Sequence, residues 1–331
     1  MNEPKKTLRV AISDSIDPSL LRHLPPGVEV VRYSVDSDEV LDELRNIDML
    51  VPPSFGKQAA EVLPRIRTRY IQTISAGVET VQPMVPPGVV LCNARGVHDS
   101  STAEWAVTAI LASLKWLPFY GGLQAAGLWG GREESDAYWL ETCGGPQTSG
   151  TPVLVEELAG KTVLIVGYGS IGKAIEARLL PFEPARILRL ARTAREGVYP
   201  VTDLDRLLPE ADIVVLITPL TPETHHLIGR EQFALMRRGA LLVNAARGGV
   251  VDTDALVAAL EAHRIRAALD VTDPEPLPAE HPLWKAPGLL LTPHIAGSTP
   301  AFLDRVFRFV GRQLRHLLDG EEPENIIRGH Y

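Results

Sequence analysis

The chain is poor in cysteine: only Cys92 and Cys143 occur in 331 residues, at a spacing that matches no metal-ligand pattern. Two thiols in a chain of this length impose no disulfide framework, and both are expected as plain thiols. Positive charge is also scarce. The 33 Lys and Arg residues stand against 41 Asp and Glu, a formal net charge of −8, whereas a nucleic-acid surface needs a basic face. No apolar run reaches the ~20 residues of a membrane span. The N-terminal MNEPKKTLRVAIS has basic residues but no apolar segment of the kind a secretory signal needs. These absences lead to the expectation of a cytoplasmic protein with small-molecule partners and no metal, nucleic acid or membrane. With 45% hydrophobic and 22% charged residues, the composition is that of a chain that folds throughout, and its length suits two packed domains.

What is present is a repeated alternation. From residue 163 onward, short apolar runs recur at 163–166, 187–190, 213–217, 241–244, 267–271 and 289–292, with helix-patterned stretches such as ALVAALEAHRI between most of them. Strands separated by helices must pair in parallel, because a parallel crossover needs a dozen or more residues. The class is α/β, doubly wound. The first hundred residues repeat the pattern in RVAIS, VEVVRY, DMLVP, YIQTIS and VVLCN. Between the two halves, SSTAEWAVTAILASLKW reads as a long helix with Ser101 and Glu104 at capping-box spacing, ending near Pro118. A final helix is expected to start at Ser298 or Thr299, to carry Pro300 in its first turn, to stop at Gly320 and to return the chain to the first domain. Residues 121–152 are rich in glycine and polar groups without a clear period, and read as a long loop.

VLIVGYGSIGKAI places Gly167, Gly169 and Gly172 in GxGxxG spacing, after a strand and opening a helix. In that context the first glycine permits a tight turn, the second lets backbone N–H groups approach a pyrophosphate, and the third lets helix and strand pack closely. About 20 residues on, an NAD-binding chain should present an acid to the ribose hydroxyls. This chain has Arg192 and Arg195, with no acid between Glu183 and Glu196. A guanidinium binds a 2′-phosphate in a charge-assisted fork, so NADP(H) is favoured over NAD(H).

Three further strands lead to polar groups: LLVN to Arg247, AALDV to Asp273 and Glu275, and LLLT to His294. Open α/β sheets bind ligands outside the carboxyl ends of their strands, so these groups and the glycine loop are expected to share one crevice. A nicotinamide cofactor supplies hydride, and the protein must supply a proton and hold the substrate. His294 suits the proton transfer, with Glu275 as its carboxylate partner. Arg247 suits a substrate carboxylate, which makes a 2-oxo acid the natural substrate.

NARGVHDSSTAEWAV, VGYGSIG, ITPLTPETHHLI, LVNAARGGVVD, ALDVTDPEPLP and LTPHIAGST stand in the same order as in the D-isomer-specific 2-hydroxyacid dehydrogenase family, which the chain resembles over nearly its whole length. The resemblance implies two doubly wound parallel-sheet domains with an intervening cleft: a flavodoxin-like substrate domain, 1–100 plus 299–331, and a Rossmann-like dinucleotide domain, 101–298. Arg247, Glu275 and His294 match the family's catalytic arginine, acid and histidine. Asp270 matches the residue that holds the nicotinamide carboxamide, and Thr102 a position near that ring. Tyr168, Ser170, Ile171, Thr193, Thr218, Pro219, Ala245 and Gly297 are assigned to the cofactor with the three glycines and two arginines. Ser75, Ala76, Gly77 and Val78 match the loop whose N–H groups receive the substrate carboxylate.

The family's members are commonly dimers, and Trp139 stands where some relatives reach a partner's site, although an aromatic packed on its own subunit is the favoured reading of it. Lys57 is the one cation found where relatives place substrate-selecting groups, which disfavours a phosphorylated substrate. The expected function is NADP(H)-dependent reduction of a small 2-oxo acid such as glyoxylate or hydroxypyruvate. Alternatives are an NAD(H)-dependent dehydrogenase of bulkier D-2-hydroxy acids and a non-catalytic dinucleotide-sensing interaction protein.

Overall fold

Short buried apolar runs fold into parallel strands in two separate sheets of a computed structural model, which describes residues 7–34, 43–52, 63, 67–129, 132–143 and 155–328. The strands are β1 (Leu8–Ser13), β2 (Val28–Tyr33), β3 (Ile47–Val51), β4 (Thr68–Gln72), β5 (Val90–Cys92), β6 (Thr162–Val166), β7 (Arg186–Ala191), β8 (Tyr199–Pro200), β9 (Ile213–Leu216), β10 (Ala240–Asn244), β11 (Ile265–Leu269) and β12 (Leu289–Leu291). The helices are α1 (Asp99–Leu114), α2 (Leu117–Ala125), α3 (Arg132–Cys143), α4 (Ser170–Leu179), α5 (Leu204–Leu207), α6 (Arg230–Leu235), α7 (Thr253–Glu261) and α8 (Phe302–Leu318). Two compact units result, one of residues 1–98 and 299–331, the other of residues 99–298.

In the first unit the strand order is β2-β1-β3-β4-β5, the flavodoxin-like doubly wound order. Successive residues serve opposite faces, as a strand's period of two requires. Val10, Ile12, Met49 and Val51 pack with Phe307, Val310 and Leu314 of α8, while Ala11, Leu50 and Ile71 pack on the other side with Leu44, Leu63 and Val78. Cys92 is buried there as a free thiol, its pKa pushed up to about 12 by desolvation. The side chain of Cys143 lies outside the described residues, as does Lys57.

The second unit has the order β12-β11-β10-β9-β6-β7-β8. Counted along the chain from β6 this is 7-6-5-4-1-2-3, the Rossmann order, with its reversal between β6 and β9. Leu164, Val214, Leu242 and Ala267 face one apolar layer; their neighbours Val163, Ile213, Leu241 and Ala268 face the other, against α1 and α4. Both faces are covered, which is why these strands appear in sequence as unbroken apolar runs. No single helix among the described residues is long and apolar enough to cross a membrane.

The local expectations need four corrections. The region 121–152 is not one long loop: α2 ends within it and α3 occupies twelve of its residues. The apolar residues of α3 do not recur on one side, so periodicity is silent there, and helix formers such as Glu, Ala and Leu carry the segment. Pro118 does not end the connecting helix; α1 stops at Leu114, Trp116 turns at φ 51°, and Pro118 sits in the first turn of α2, where its missing N–H costs nothing. Ser101 is not a cap, because α1 starts at Asp99 and buries it. The last helix starts at Phe302 after Ala301, not at residues 298–299, although Gly320 follows its end at φ 79° as expected.

Candidate active site

Strand register in the second unit sets Leu291, Leu269, Asn244, Leu216, Val166 and Leu190 level across six adjacent strands. All six strands end at or next to this edge, and the polar groups assigned to catalysis or to the cofactor in the second unit, Thr102 excepted, follow within at most six residues. His294 comes three residues after β12, Asp270 directly after β11, Arg247 three residues after β10, Thr218 two after β9, Gly167 directly after β6 and Arg192 directly after β7. Arg247 and His294 leave strands two intervals apart, ~10 Å at ordinary strand spacing, a gap suited to a small substrate.

At the β12 end, the imidazole Nδ1 of His294 lies 2.6 Å from Glu275 Oε1. Both side chains are nearly half exposed, at 47% and 41%. A histidine whose Nδ1 is held by a carboxylate keeps Nε2 for its other partner. The backbone is bent to present it: His294 has φ 54°, a region that costs a non-glycine residue about 1 kcal/mol or more. Two hydrogen bonds hold that turn, from His294 N–H to the carbonyls of Asp270 (2.7 Å) and Thr292 (3.1 Å).

Arg247 is half-buried, and its Nη1 donates to the carbonyl of Ala246 at 2.8 Å. Its turn is held from below by a residue to which the motifs above assign no role. Buried Asn244 accepts the Ala246 N–H through Oδ1 (3.0 Å) and donates through Nδ2 to the carbonyl of Arg247 (3.1 Å). A polar residue closing an otherwise apolar strand is the available signal, since a buried amide must find partners. The next residue after Arg247, Gly248, is pressed against the loop that carries Glu275: a Cβ there would stand 1.9 Å from the Thr272 carbonyl oxygen.

The glycine loop divides its labour. A Cβ on Gly167, which has φ 97°, would come within 2.6 Å of the backbone of Ile217 and Thr218. On Gly172 it would touch Gly167 O, Ile165 and Tyr168 at 3.3 Å, so that glycine serves the packing of α4. On Gly169 it would meet only Gly167 O, at 3.8 Å. That open side stands at the start of α4, where first-turn N–H groups lack partners within the helix, and it fits a pyrophosphate.

Arg195 is already engaged, donating from Nη2 to the carbonyl of Tyr168 at 2.5 Å. Tyr168 also donates its hydroxyl to Glu176, which Arg189 binds through Nε at 2.8 Å. Hydrogen bonding from Arg189 holds Glu176 below the usual carboxylate range. Its charge is thereby neutralised locally and does not oppose an anionic ligand nearby. Arg192 and Thr193 are exposed, and among the described residues no hydrogen bond or ion pair engages Arg192. Thr218 and Pro219 are at the β9 end, and Ala245 and Gly297 lie in the turns beside Arg247 and His294. Thr102 is buried within α1. Trp139 is half-buried on α3.

Ser75, Ala76, Gly77 and Val78 belong to the first unit. The carbonyls of Ser75, Ala76 and Gly77 accept from Ala94 N–H (2.8 Å), Asn93 Nδ2 (2.7 Å) and Ser75 Oγ (2.8 Å). None of the four N–H groups in this loop is donated to another described residue, an arrangement that fits an anion.

Comparison with known proteins extends these observations. Residues 135–296 match the family model described as D-isomer specific 2-hydroxyacid dehydrogenase, NAD binding domain. The chain is 36% identical over 300 residues to a glyoxylate reductase of Thermofilum pendens, covering 88% of this chain and 84% of that one. It is 30% identical over 332 residues to a D-3-phosphoglycerate dehydrogenase of Methanocaldococcus jannaschii, covering 97% of this chain but spanning only 59% of that longer protein. A solved structure from Thermus thermophilus superposes with a TM-score of 0.73 at 34% identity, covering 97% of this chain and 100% of that one. The glycine loop and the strand-end groups therefore sit in a chain whose likeness to such enzymes runs almost from end to end, and the chain belongs to the D-isomer specific 2-hydroxyacid dehydrogenase family.

Proposed function

We propose that the chain is an NADP(H)-dependent reductase of small 2-oxo acids, of the glyoxylate or hydroxypyruvate type, forming the D-2-hydroxy acid. The observation that carries this reading is the 2.6 Å contact between His294 and Glu275 on the strand edge that also bears Arg247 and the glycine loop. Gly167 to Gly172 would hold the pyrophosphate of a nicotinamide cofactor, whose chemistry would be to supply the hydride. His294 gives the proton from Nε2 to the carbonyl oxygen as the C=O π bond becomes a C–OH group. Glu275, 2.6 Å from Nδ1, fixes the ring's orientation and leaves Nε2 to face the substrate. Arg247 binds the substrate carboxylate and polarises the carbonyl. A homodimer in the cytoplasm completes the reading, the dimer resting on the family resemblance.

The test is the oxidation of NADPH and of NADH, followed by the loss of reduced-nicotinamide absorbance, against glyoxylate, hydroxypyruvate, pyruvate and phenylpyruvate. Turnover of glyoxylate or hydroxypyruvate with NADPH supports the reading; turnover of none of them sinks it, and a preference for NADH removes its cofactor half.

That half rests on Arg192, the exposed cation at the end of β7. A hydrogen bond to a charged group contributes about 1.5–3 kcal/mol, so Arg192→Asp is expected to lower kcat/KM for NADPH by about 10- to 100-fold relative to NADH. An unchanged ratio assigns the choice of cofactor to another group.

A further inference from the structure

We propose that Trp105 and Thr292, neither of which has a part in the chemistry above, are positioning residues for His294. The proposal rests on the reading of His294 as proton donor. It is carried by a continuous chain of hydrogen bonds within the second unit. The indole Nε1–H of Trp105, on α1, donates to Thr292 Oγ1 at 3.0 Å, and Thr292 Oγ1 donates in turn to Asp270 Oδ1 at 2.7 Å. Asp270, only 2% exposed, accepts two more bonds from the turn that presents the histidine: Ile295 N–H on Oδ1 and Ala296 N–H on Oδ2, both at 2.8 Å.

The direction of this chain is forced by chemistry. An indole N–H can only donate, and Asp270 Oδ1 already serves as acceptor for Ile295, so the single hydroxyl proton of Thr292 must point at Asp270 while its lone pair faces Trp105. A serine or threonine can hold both ends; valine can hold neither. With Thr292 locked this way, Asp270 is fixed at Oδ1 by the Thr292 hydroxyl and the Ile295 amide, and at Oδ2 by the Ala296 amide. Its own carbonyl is the 2.7 Å acceptor for His294 N–H, and the carbonyl of Thr292 is the 3.1 Å one. Both carbonyls that hold His294 at φ 54° therefore belong to residues pinned by the Trp105 bond chain.

Backbone in that conformation persists only where its surroundings hold it. Loosening the chain lets the turn relax toward ordinary φ values, which swings the imidazole away from Glu275 while leaving the fold and the glycine loop in place. Asp270 is matched by family resemblance to a nicotinamide contact. Oδ2, which accepts one bond, has a lone pair left for that role, so the positioning role adds to it.

The test compares Thr292→Val, Thr292→Ser, Trp105→Phe and His294→Ala in the full chain with NADPH and glyoxylate. A misplacement of about 1 Å costs on the order of 100-fold in rate, so Thr292→Val is expected to lower kcat by about 10- to 100-fold. Trp105→Phe, which keeps an aromatic ring but loses the N–H, lowers it less. The dissociation constant for NADPH, read by fluorescence, stays within about twofold of wild type, as expected when only an interaction at the reacting centre is lost. Thr292→Ser restores kcat.

A second readout is independent of turnover. In protein labelled with ¹⁵N-histidine, the Nδ1 signal that reports the bond to Glu275 should persist in Thr292→Ser and weaken or vanish in Thr292→Val. The proposal is overturned if Thr292→Val and Trp105→Phe keep wild-type kcat while His294→Ala loses it, if serine fails to rescue, or if the Nδ1 signal is unchanged in Thr292→Val. If His294→Ala itself keeps full activity, the reading of the histidine fails, and the positioning role falls with it.

Discussion

Replacing His294 with alanine is expected to lower kcat by ~10² to 10⁴, the contribution ordinarily made by a positioned acid or base. The expectation follows from the geometry rather than from the residue type. The imidazole is held at Nδ1 by Glu275 at 2.6 Å, remains accessible at 47% exposure, and stands on a turn kept at φ 54°. A histidine with a purely structural role would be expected to bury its ring or use both nitrogens on the protein. Here the described partner engages one nitrogen. Because the glycine loop that would hold the nucleotide lies beyond several strands of the same sheet, His294→Ala should leave the NADPH dissociation constant nearly unchanged. The loss should therefore appear in kcat and kcat/KM together, as for an interaction made only in the transition state. Steady-state rates with glyoxylate and NADPH, set beside NADPH titration by fluorescence, separate the two. Activity close to wild type would assign the proton to another acid.

Much of this site is legible in the sequence because it lies where the chain changes character. A buried parallel strand is apolar on both faces, so the residue that ends it stands out: Arg247 after LLVN, His294 after LLLT, and the glycine loop after VLIV. Order along the chain, with helices between strands, then places these ends on one edge without any long-range information. What is not legible depends on pairs of residues that meet only after folding. Trp105 and Thr292 are 187 positions apart, and neither has a pattern that announces the other. Asn244 is visible as a polar strand end, but its hold on the Arg247 turn needs coordinates. The helix α3 escapes for a different reason, since its apolar residues share no face and periodicity has nothing to detect. The engagement of Arg195 by the Tyr168 carbonyl likewise separates two arginines that the sequence treats as equals.

Gly248→Ala is expected to have an effect comparable to removing the histidine, although glycine offers no chemistry. A Cβ at this position would lie 1.9 Å from Thr272 O, 2.0 Å from Thr272 C and 2.6 Å from Asp273 N. All three are backbone atoms, which cannot rotate aside as a side-chain end can. Carbon contacts are optimal at about 3.5–4.0 Å, so the turn carrying Arg247 and the loop leading to Glu275 must separate by more than about 1 Å. Displacement on that scale costs on the order of 100-fold in rate when it moves reacting groups. It adds the roughly 1–3 kcal/mol destabilisation of an overpacked core. The neighbouring Gly249 is the internal control: a Cβ there would meet only the side chains of Asp273 and Leu220, at 3.5 Å and beyond. Gly249→Ala should therefore fold and turn over nearly as wild type, while Gly248→Ala loses activity by about 10²-fold or more and melts at a lower temperature. If Gly248→Ala keeps its rate, the contact between these two loops has no part in aligning Arg247 with Glu275 and His294, and each group must be held in place by its own strand end alone.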